Sequence, residues 1–412
     1  MTAVTTERPG LRSTLTSFTG SFWAANVSEL FERVAYYAMT ALLVVYLTEA
    51  RGFSAGTAVI IGGNMSAVTF GLSPFSGIIA DAIGYRRALI LAYSLLAVGY
   101  AGAAVAPGNV GLGLALLLVA FGASLVKPVI TGTVQKTGTE SNRAVGFSVY
   151  YTLVNVGGFL GPTISALVRD RFGVATIFAI SVTAAAIALA VTLALYREPP
   201  ATPGEGKKSV GELGRNFVAV LSNPRLVVLF LCVAGWWSMF FAFLNVLPLY
   251  LKDDVHAPAW ALGLTSLDAF AVVALQVVVG LMVRRMSPVR AVVLAIVVST
   301  VGVACMSAAP TLVLAAVGVV GFSIGEMIYS AHFYHYLGTL APPGQVGMYM
   351  GFSFLPIALG SELSGLLGAT VLRRFREQGQ PQLMWLAFAA VGAVSAVGVY
   401  LVSRGGPAHE RR

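Results

Sequence analysis

Residues 197–224 read REPPATPGEGKKSVGELGRNFVAVLSNP, the longest polar stretch in a 412-residue chain that is 57% hydrophobic and 10% charged. Its Pro, Gly and four cationic side chains mark a linker. Six apolar runs precede it (20–48, 55–80, 85–106, 110–133, 143–168, 173–195). Six follow it (226–251, 258–283, 289–309, 311–338, 345–372, 382–403). Each is roughly 20 residues or more, enough to cross about 30 Å of hydrocarbon. Soluble domains, with about 25% charged residues, are excluded. Backbone polar groups in lipid must be satisfied internally, so the spans are helices or barrel strands. Barrel strands alternate apolar and polar, and stretches such as Ala184–Tyr196 do not. The predicted fold is an all-α membrane protein of twelve transmembrane helices in two six-helix bundles, 1–196 and 225–412, joined by a cytoplasmic linker at 197–224. The 45 glycines suit close helix packing in a membrane.

The halves echo each other. GIIADAIGYRR (77–87) follows the second span and GLMVRRMSPVR (280–290) the eighth, with Gly77 matching Gly280 and Arg87 matching Arg290. Parallel six-helix repeats are the plan of the major facilitator superfamily, whose substrates bind near the midplane between the halves. The stretch from Gly77 to Arg87 resembles that superfamily's loop between helices two and three.

Charge predicts the orientation. With both termini inside, 17 Lys and Arg fall on the cytoplasmic side, 7 on the other, and two, Arg33 and Lys127, within spans. This obeys the positive-inside rule, so the net charge of +9 calls for no nucleic acid. The first apolar run is too long for a signal-peptide core, and no small-residue cleavage site closes it. The expected location is a bacterial inner membrane, with the lipid bilayer as partner. Cys232 and Cys305 both fall in spans and have no zinc-type spacing. No cofactor or metal is expected.

The first span carries unusual charge. At about 100° per residue, Asn26, Glu29, Glu32, Arg33, Tyr36 and Tyr37 fall within an arc of about 140°. The opposite face is Val27, Leu30, Val34 and Ala38. Such a stripe faces a wet cavity or other helices. Charges at mid-bilayer cost several kcal/mol and mark pathways or proton relays more often than simple docking. Lys127 completes a neutral set in the first half. The second half holds Asp268, Glu326 and Glu362 with no cation inside a span. Buried carboxylates without a cation take up protons, which points to proton coupling. It also points to a substrate with a positive end for the second half and a negative end for Arg33 and Lys127.

These residues resemble the proton-dependent oligopeptide transporters. The family's first-helix motif E-x-x-E-R-F-x-Y-Y-G is matched by ELFERVAYYA (29–38), with Val34 for Phe and Ala38 for Gly. Its fourth-helix Lys-Pro is similar to SLVKPVITG, with Lys127 and Pro128. Its fifth-helix signature is similar to FSVYYTLVNVGGF (147–159), with Asn155. Its tenth-helix glutamate and L-A-P loop are similar to GEMIYS…LGTLAPPGQVGMYMG, with Glu326. The resemblance implies that Glu29, Glu32, Arg33 and Lys127 couple protons and hold a peptide carboxylate, and that Glu326 receives the amino group. Tyr36, Tyr37, Asn155 and Trp237 are the further candidates for the substrate pocket.

Four departures matter. Phe241 stands where the family often has a seventh-helix glutamate, Asp268 where the eighth helix often reads S-L-N, Ser353 at the eleventh-helix tryptophan and Phe70 at a second-helix tyrosine. Asp268, expected near the middle of its span, is a candidate replacement for the missing glutamate, as gate partner or proton acceptor. Ser353 is carried as a pocket residue. The expected function is proton-coupled symport of di- or tripeptides or peptide-like small molecules, the partners being that substrate and protons. The alternative is a proton-antiporting exporter of drugs or natural products. An enzyme is not expected, since no nucleophile–base pair, HExxH or GxSxG stands out in the spans. His332 and His335 turn away from the Glu326 face and read as packed histidines, and Glu362 as facing a neighbouring helix. RGGPAHERR at the C-terminus reads as a solvated tail.

Overall fold

The computed structural model describes residues 11–139, 142–199, 210–283, 285–340, 350 and 352–404. Among them are twelve helices long and apolar enough to cross a membrane. The first six are α1 (Gly20–Glu49), α2 (Ala55–Ile83), α3 (Tyr85–Val105), α4 (Asn109–Thr137), α5 (Arg143–Phe172) and α6 (Thr176–Leu195). The second six are α7 (Pro224–Asn245), α8 (Ser266–Val283), α9 (Pro288–Cys305), α10 (Leu312–Leu340), α11 (Leu355–Glu377) and α12 (Met384–Arg404). The helices start where the sequence supplies caps. The hydroxyls of Thr19 and Ser54 accept from the N–H groups of Phe22 and Thr57 at the starts of α1 and α2. Asn223 does the same for Leu226 ahead of Pro224.

Two spans differ from expectation. The seventh does not run unbroken to 251: α7 ends at Asn245 and a separate helix covers Leu247–Asp253. Pro248 explains the break, since it lacks an N–H and clashes with the preceding turn. The eighth starts at Ser266, after a 3₁₀ turn at Ala259–Gly263. That turn lies on α5 so closely that a Cβ at Gly263 would sit 2.8 Å from the Pro162 carbonyl oxygen. Asp268 is therefore the third residue of α8 rather than mid-span. A carboxylate in the first turn of a helix is favoured by the helix dipole.

α1 packs on α5 and α6, α3 on α4 and α6, and α2 on α4. In the second half α9 packs on α10 and α12, α7 on α11 and α12, and α8 on α10. The halves meet through α2 against α11 and α5 against α8. Glycine makes the α1–α5 contact possible. A Cβ at Gly157 would lie 2.5 Å from Arg33 Cβ, and one at Gly161 would lie 2.7 Å from the Ala38 nitrogen. The four-residue spacing of these glycines is the small-residue pattern of close membrane helices.

The halves are closed together at the end that carries the C-terminus of α1. Ser361 Oγ donates to the Gly63 carbonyl (2.9 Å), and a Cβ at Gly63 would meet Gly365 Cα at 2.8 Å. Glu49 accepts from Arg169 at 2.8 Å and from Lys252 at 3.1 Å, tying the two halves. Arg376 holds Asp254 at 2.6 Å and Asp253 at 3.2 Å. Burial pushes the Asp254 carboxyl up against the pull of that guanidinium. At the other end, Gly84 adopts φ 89° between α2 and α3. There Glu198 accepts from the backbone N–H groups of Tyr85 and Arg86, both at 2.7 Å. The first residues of the connection after α6 thus dock on the first half. The C-terminal tail and the loop containing 341–349 lie outside the described residues.

Candidate functional site

A cavity of about 170 Å³ lies between the halves. Tyr37, Lys127, Asn155, Trp237, Asp268 and Glu326 line it, all of them expected from sequence. Arg33, Tyr36, Glu29, Glu32 and Ser353 do not.

The first-helix acids form a sealed cluster. Glu29 and Glu32 have no exposed surface and Arg33 is 4% exposed. The Arg33 guanidinium pairs with Glu32 Oε2 at 2.5 Å and with Glu29 Oε1 at 3.3 Å. It also lies 5.3 Å from the Tyr36 ring centre and 6.0 Å from that of Tyr37. Tyr36 points away from the cavity to Ser66 (3.3 Å). Two carboxyls share one guanidinium, so the cluster stays neutral only if one of them holds a proton, and Glu32 Oε1 accepts from no donor among the described residues. The stripe read from sequence therefore faces other helices, and only Tyr37 reaches the cavity.

Lys127 stands at the cavity wall on α4. It makes no direct ion pair with Glu29 or Glu32 among the described residues, while the expectation from its burial is reach to one of them, direct or through water, in at least one transport state. Its Nζ lies 5.7 Å from the Phe70 ring centre and 5.8 Å from that of Phe354, and no carboxylate reaches it among the described residues. A cation over aromatic faces is partly compensated by the ring quadrupoles. Phe70 in turn packs edge-on against Phe241, 5.9 Å between centres. Two polar positions of the resembled family have thus become one apolar contact across the halves, with Leu244 and Ile357 beside it.

The opposite wall carries the second-half acids. Ser323 Oγ donates to Asp268 Oδ1 at 2.5 Å, and Ser323 lies one helical turn before Glu326 on α10, which puts both acids on one wall of the cavity. Glu326 Oε2 is buried and accepts from no donor among the described residues. Asp268 thus contacts its own half rather than Arg33 or Lys127, so of its two expected roles, gate partner or proton acceptor, the gate contact is not made in this structure.

Ser353 was expected in the pocket and is not there. Its hydroxyl donates to the Met350 carbonyl at 2.7 Å, consistent with its place in the turn before α11. His332 Nδ1 meets the Ile328 carbonyl at 3.0 Å, a packed histidine; the side chain of His335 lies outside the described residues. Glu362 faces a neighbour, as expected. With its nitrogen toward α11, the Asn64 amide donates to both Glu362 oxygens at 2.8 and 3.1 Å across the α2–α11 seam. Sequence reasoning missed Tyr151, Tyr329, Ser330 and Tyr334 in the cavity wall. Helical spacing was the available signal. Tyr329, Ser330 and Tyr334 follow Glu326 by three, four and eight residues, and Tyr151 precedes Asn155 by four.

The arrangement is that of a membrane transporter: a polar-poled cavity enclosed between two helical bundles. The model of the Major Facilitator Superfamily matches residues 27–365, and the chain belongs to that family. Its relatives are membrane transporters rather than enzymes. The chain is 30% identical to the dipeptide and tripeptide permease A of Salmonella typhi, over 37% of this chain and 32% of the permease. It thus spans about a third of that permease's length in the match. It is 24% identical to the multidrug resistance protein MdtH of Aeromonas salmonicida, over 90% of this chain and 93% of that protein. Among solved structures, a proton-dependent oligopeptide transporter superposes with TM-score 0.75 at 20% identity, covering 93% of this chain and 97% of the other. A POT family transporter in complex with 5-aminolevulinic acid gives 0.77 at 17% identity, covering 94% and 98%. At these identities the structural likeness speaks for the fold.

Proposed function

We propose that the chain is a proton-coupled symporter of di- or tripeptides, or of peptide-like small molecules, working by alternating access. One observation carries the reading: a single cavity has Lys127 on one wall and Asp268 with Glu326 on the other, separated by aromatic side chains. That spacing of charge suits a zwitterion, its carboxylate toward Lys127 and its amine toward Glu326. Tyr37, Asn155 and Trp237 line the body of the substrate. At about 170 Å³, the cavity is smaller than the roughly 300–1,000 Å³ of drug-sized sites. The sealed Glu29–Glu32–Arg33 cluster carries the coupled proton, because only a proton can reach and neutralise it there. Both termini face the cytoplasm of a bacterial inner membrane. Residues 1–196 and 225–412 rock about the cavity, joined by the linker at 197–224. The resemblance of the four motifs to oligopeptide transporters supports this reading, as do the permease relatives.

A proton-antiporting exporter is the second reading. It is favoured by the apolar Phe70–Phe241 contact and by the near full-length likeness to the multidrug resistance protein. Labelled dialanine supplied to liposomes holding the purified chain separates the two. The symporter accumulates dialanine under an inward proton gradient and stops when a protonophore is added. Uptake unchanged by the protonophore, or needing sodium or ATP, would overturn the proposal.

A further inference from the structure

One amino group needs one carboxylate, and Glu326 supplies it. Asp268 brings a second to the same place, where the resembled family often has asparagine. Asp268 reaches α10 at Ser323, one helical turn before Glu326, so the two carboxyls sit side by side on one wall of the cavity. Two full negative charges so close are excluded in a site shielded from water. No cation pairs with either acid among the described residues. The titratable groups that line the cavity with the pair are Lys127 from α4, Tyr37 from α1, Tyr151 from α5 and Tyr329 and Tyr334 from α10. From α7 come Trp237, Phe240, Phe243 and Leu244 and from α11 Ile357, none of which titrates. The two acids line the cavity with the buried Glu326 Oε2 still free to accept a donor.

We propose that Asp268 and Glu326 form one amine subsite of two charge classes: it takes a monoammonium group with the shared proton kept, or two ammonium groups with that proton released. The singly protonated pair carries one negative charge, matched by one ammonium. The fully ionised pair carries two, matched by two. In the second case the O–H bond of the protonated carboxyl breaks, the proton leaves through the cavity to solvent, and each carboxylate receives one ammonium. A substrate with a second amine near the first thus replaces a proton, and Asp268 sets this preference. The inference rests on the amine-binding part of the proposed function and not on the identity of the substrate as a peptide.

The test counts protons on binding to the purified full chain in detergent, by calorimetry at pH 7 in buffers of different ionisation enthalpy. The probes are dialanine and lysyl-alanine, with phenethylamine and 2-benzyl-1,3-diaminopropane as non-peptide counterparts. Monoamines release no proton. Diamines release about one per ligand, the single proton that the acid pair shares. Asp268→Asn abolishes that release and weakens diamines at least about tenfold more than it weakens monoamines, the loss of one charge-assisted contact. Glu326→Gln, nearly isosteric, likewise abolishes the release and serves as the second variant should Asp268→Asn fail to fold. Release that is equal for mono- and diamines would overturn the inference. So would an Asp268→Asn effect equal on both classes, or no binding of any amine at millimolar concentration. If the benzyl diamine releases its proton while neither peptide binds, the subsite stands and the peptide reading falls.

Discussion

Glu29 and Glu32 are fully buried around Arg33 beneath α5. Asp268 and Glu326 instead line one wall of the cavity with no paired cation among the described residues. Both groups are two carboxyls deep in a membrane protein, where charge is costly. Their surroundings give them different chemistry. The first-half acids have a resident guanidinium and no opening, so nothing larger than a proton changes their charge. The second-half acids have an opening and no resident cation, so a substrate amine can do so. Lys127 stands between, facing the cavity yet held over Phe70 and Phe354 rather than by an acid. On the proposed function, the coupled proton of the transport cycle belongs to the first-half cluster and the substrate amine to the second-half acids, with Lys127 on the cavity wall between them.

Removing Lys127 breaks this division most completely. Lys127→Ala is expected to abolish gradient-driven uptake of dialanine in liposomes while thermal unfolding in detergent stays close to the parent. A fully active variant would show that the link between the halves runs elsewhere. Arg33→Ala comes next. It leaves two buried carboxyls without their cation, an effect of about 3–5 kcal/mol for a broken buried pair. Its melting temperature should fall well below that of the parent at neutral pH. The deficit should shrink as pH is lowered, because protonation removes the uncompensated charge. A deficit that grows in acid would mean that the carboxyls are not its source. Gly157→Ala is expected to act less strongly, by about 1–3 kcal/mol of overpacking, since its methyl group would press on Arg33 Cβ. Thermal unfolding and uptake measured together would show whether displacing Arg33 harms coupling before it harms the fold.

The number of helices, their order and the linker were legible in hydropathy, because a span in lipid needs a continuous apolar run whatever it packs against. The positions of Glu29, Glu32, Arg33, Lys127 and Glu326 were legible as charges in apolar runs. What those charges touch was not. That Phe70 meets Phe241, or that Asp268 meets Ser323 one turn before Glu326, depends on how helices distant in sequence are rotated against one another, and helical periodicity fixes only the face. Asp268 was misplaced to mid-span because residues 258–265 are apolar enough to extend a helix, while Gly263 on Pro162 sets a separate 3₁₀ turn there. Ser353 was carried into the pocket by motif position alone, and the turn before α11 withdraws it. Ser353→Ala should accordingly be the mildest change, shifting dialanine affinity by less than about twofold, under 0.5 kcal/mol. A loss of tenfold would put residue 353 back at the site.

The sign of proton movement that accompanies substrate tests the division of labour most directly. Liposomes holding the full chain and a trapped pH indicator, with equal pH inside and out and the membrane potential clamped, receive dialanine outside. The account predicts that the lumen acidifies as dialanine enters, and that Lys127→Ala removes the signal. A lumen that turns alkaline, or that stays at constant pH while labelled dialanine accumulates, would contradict it.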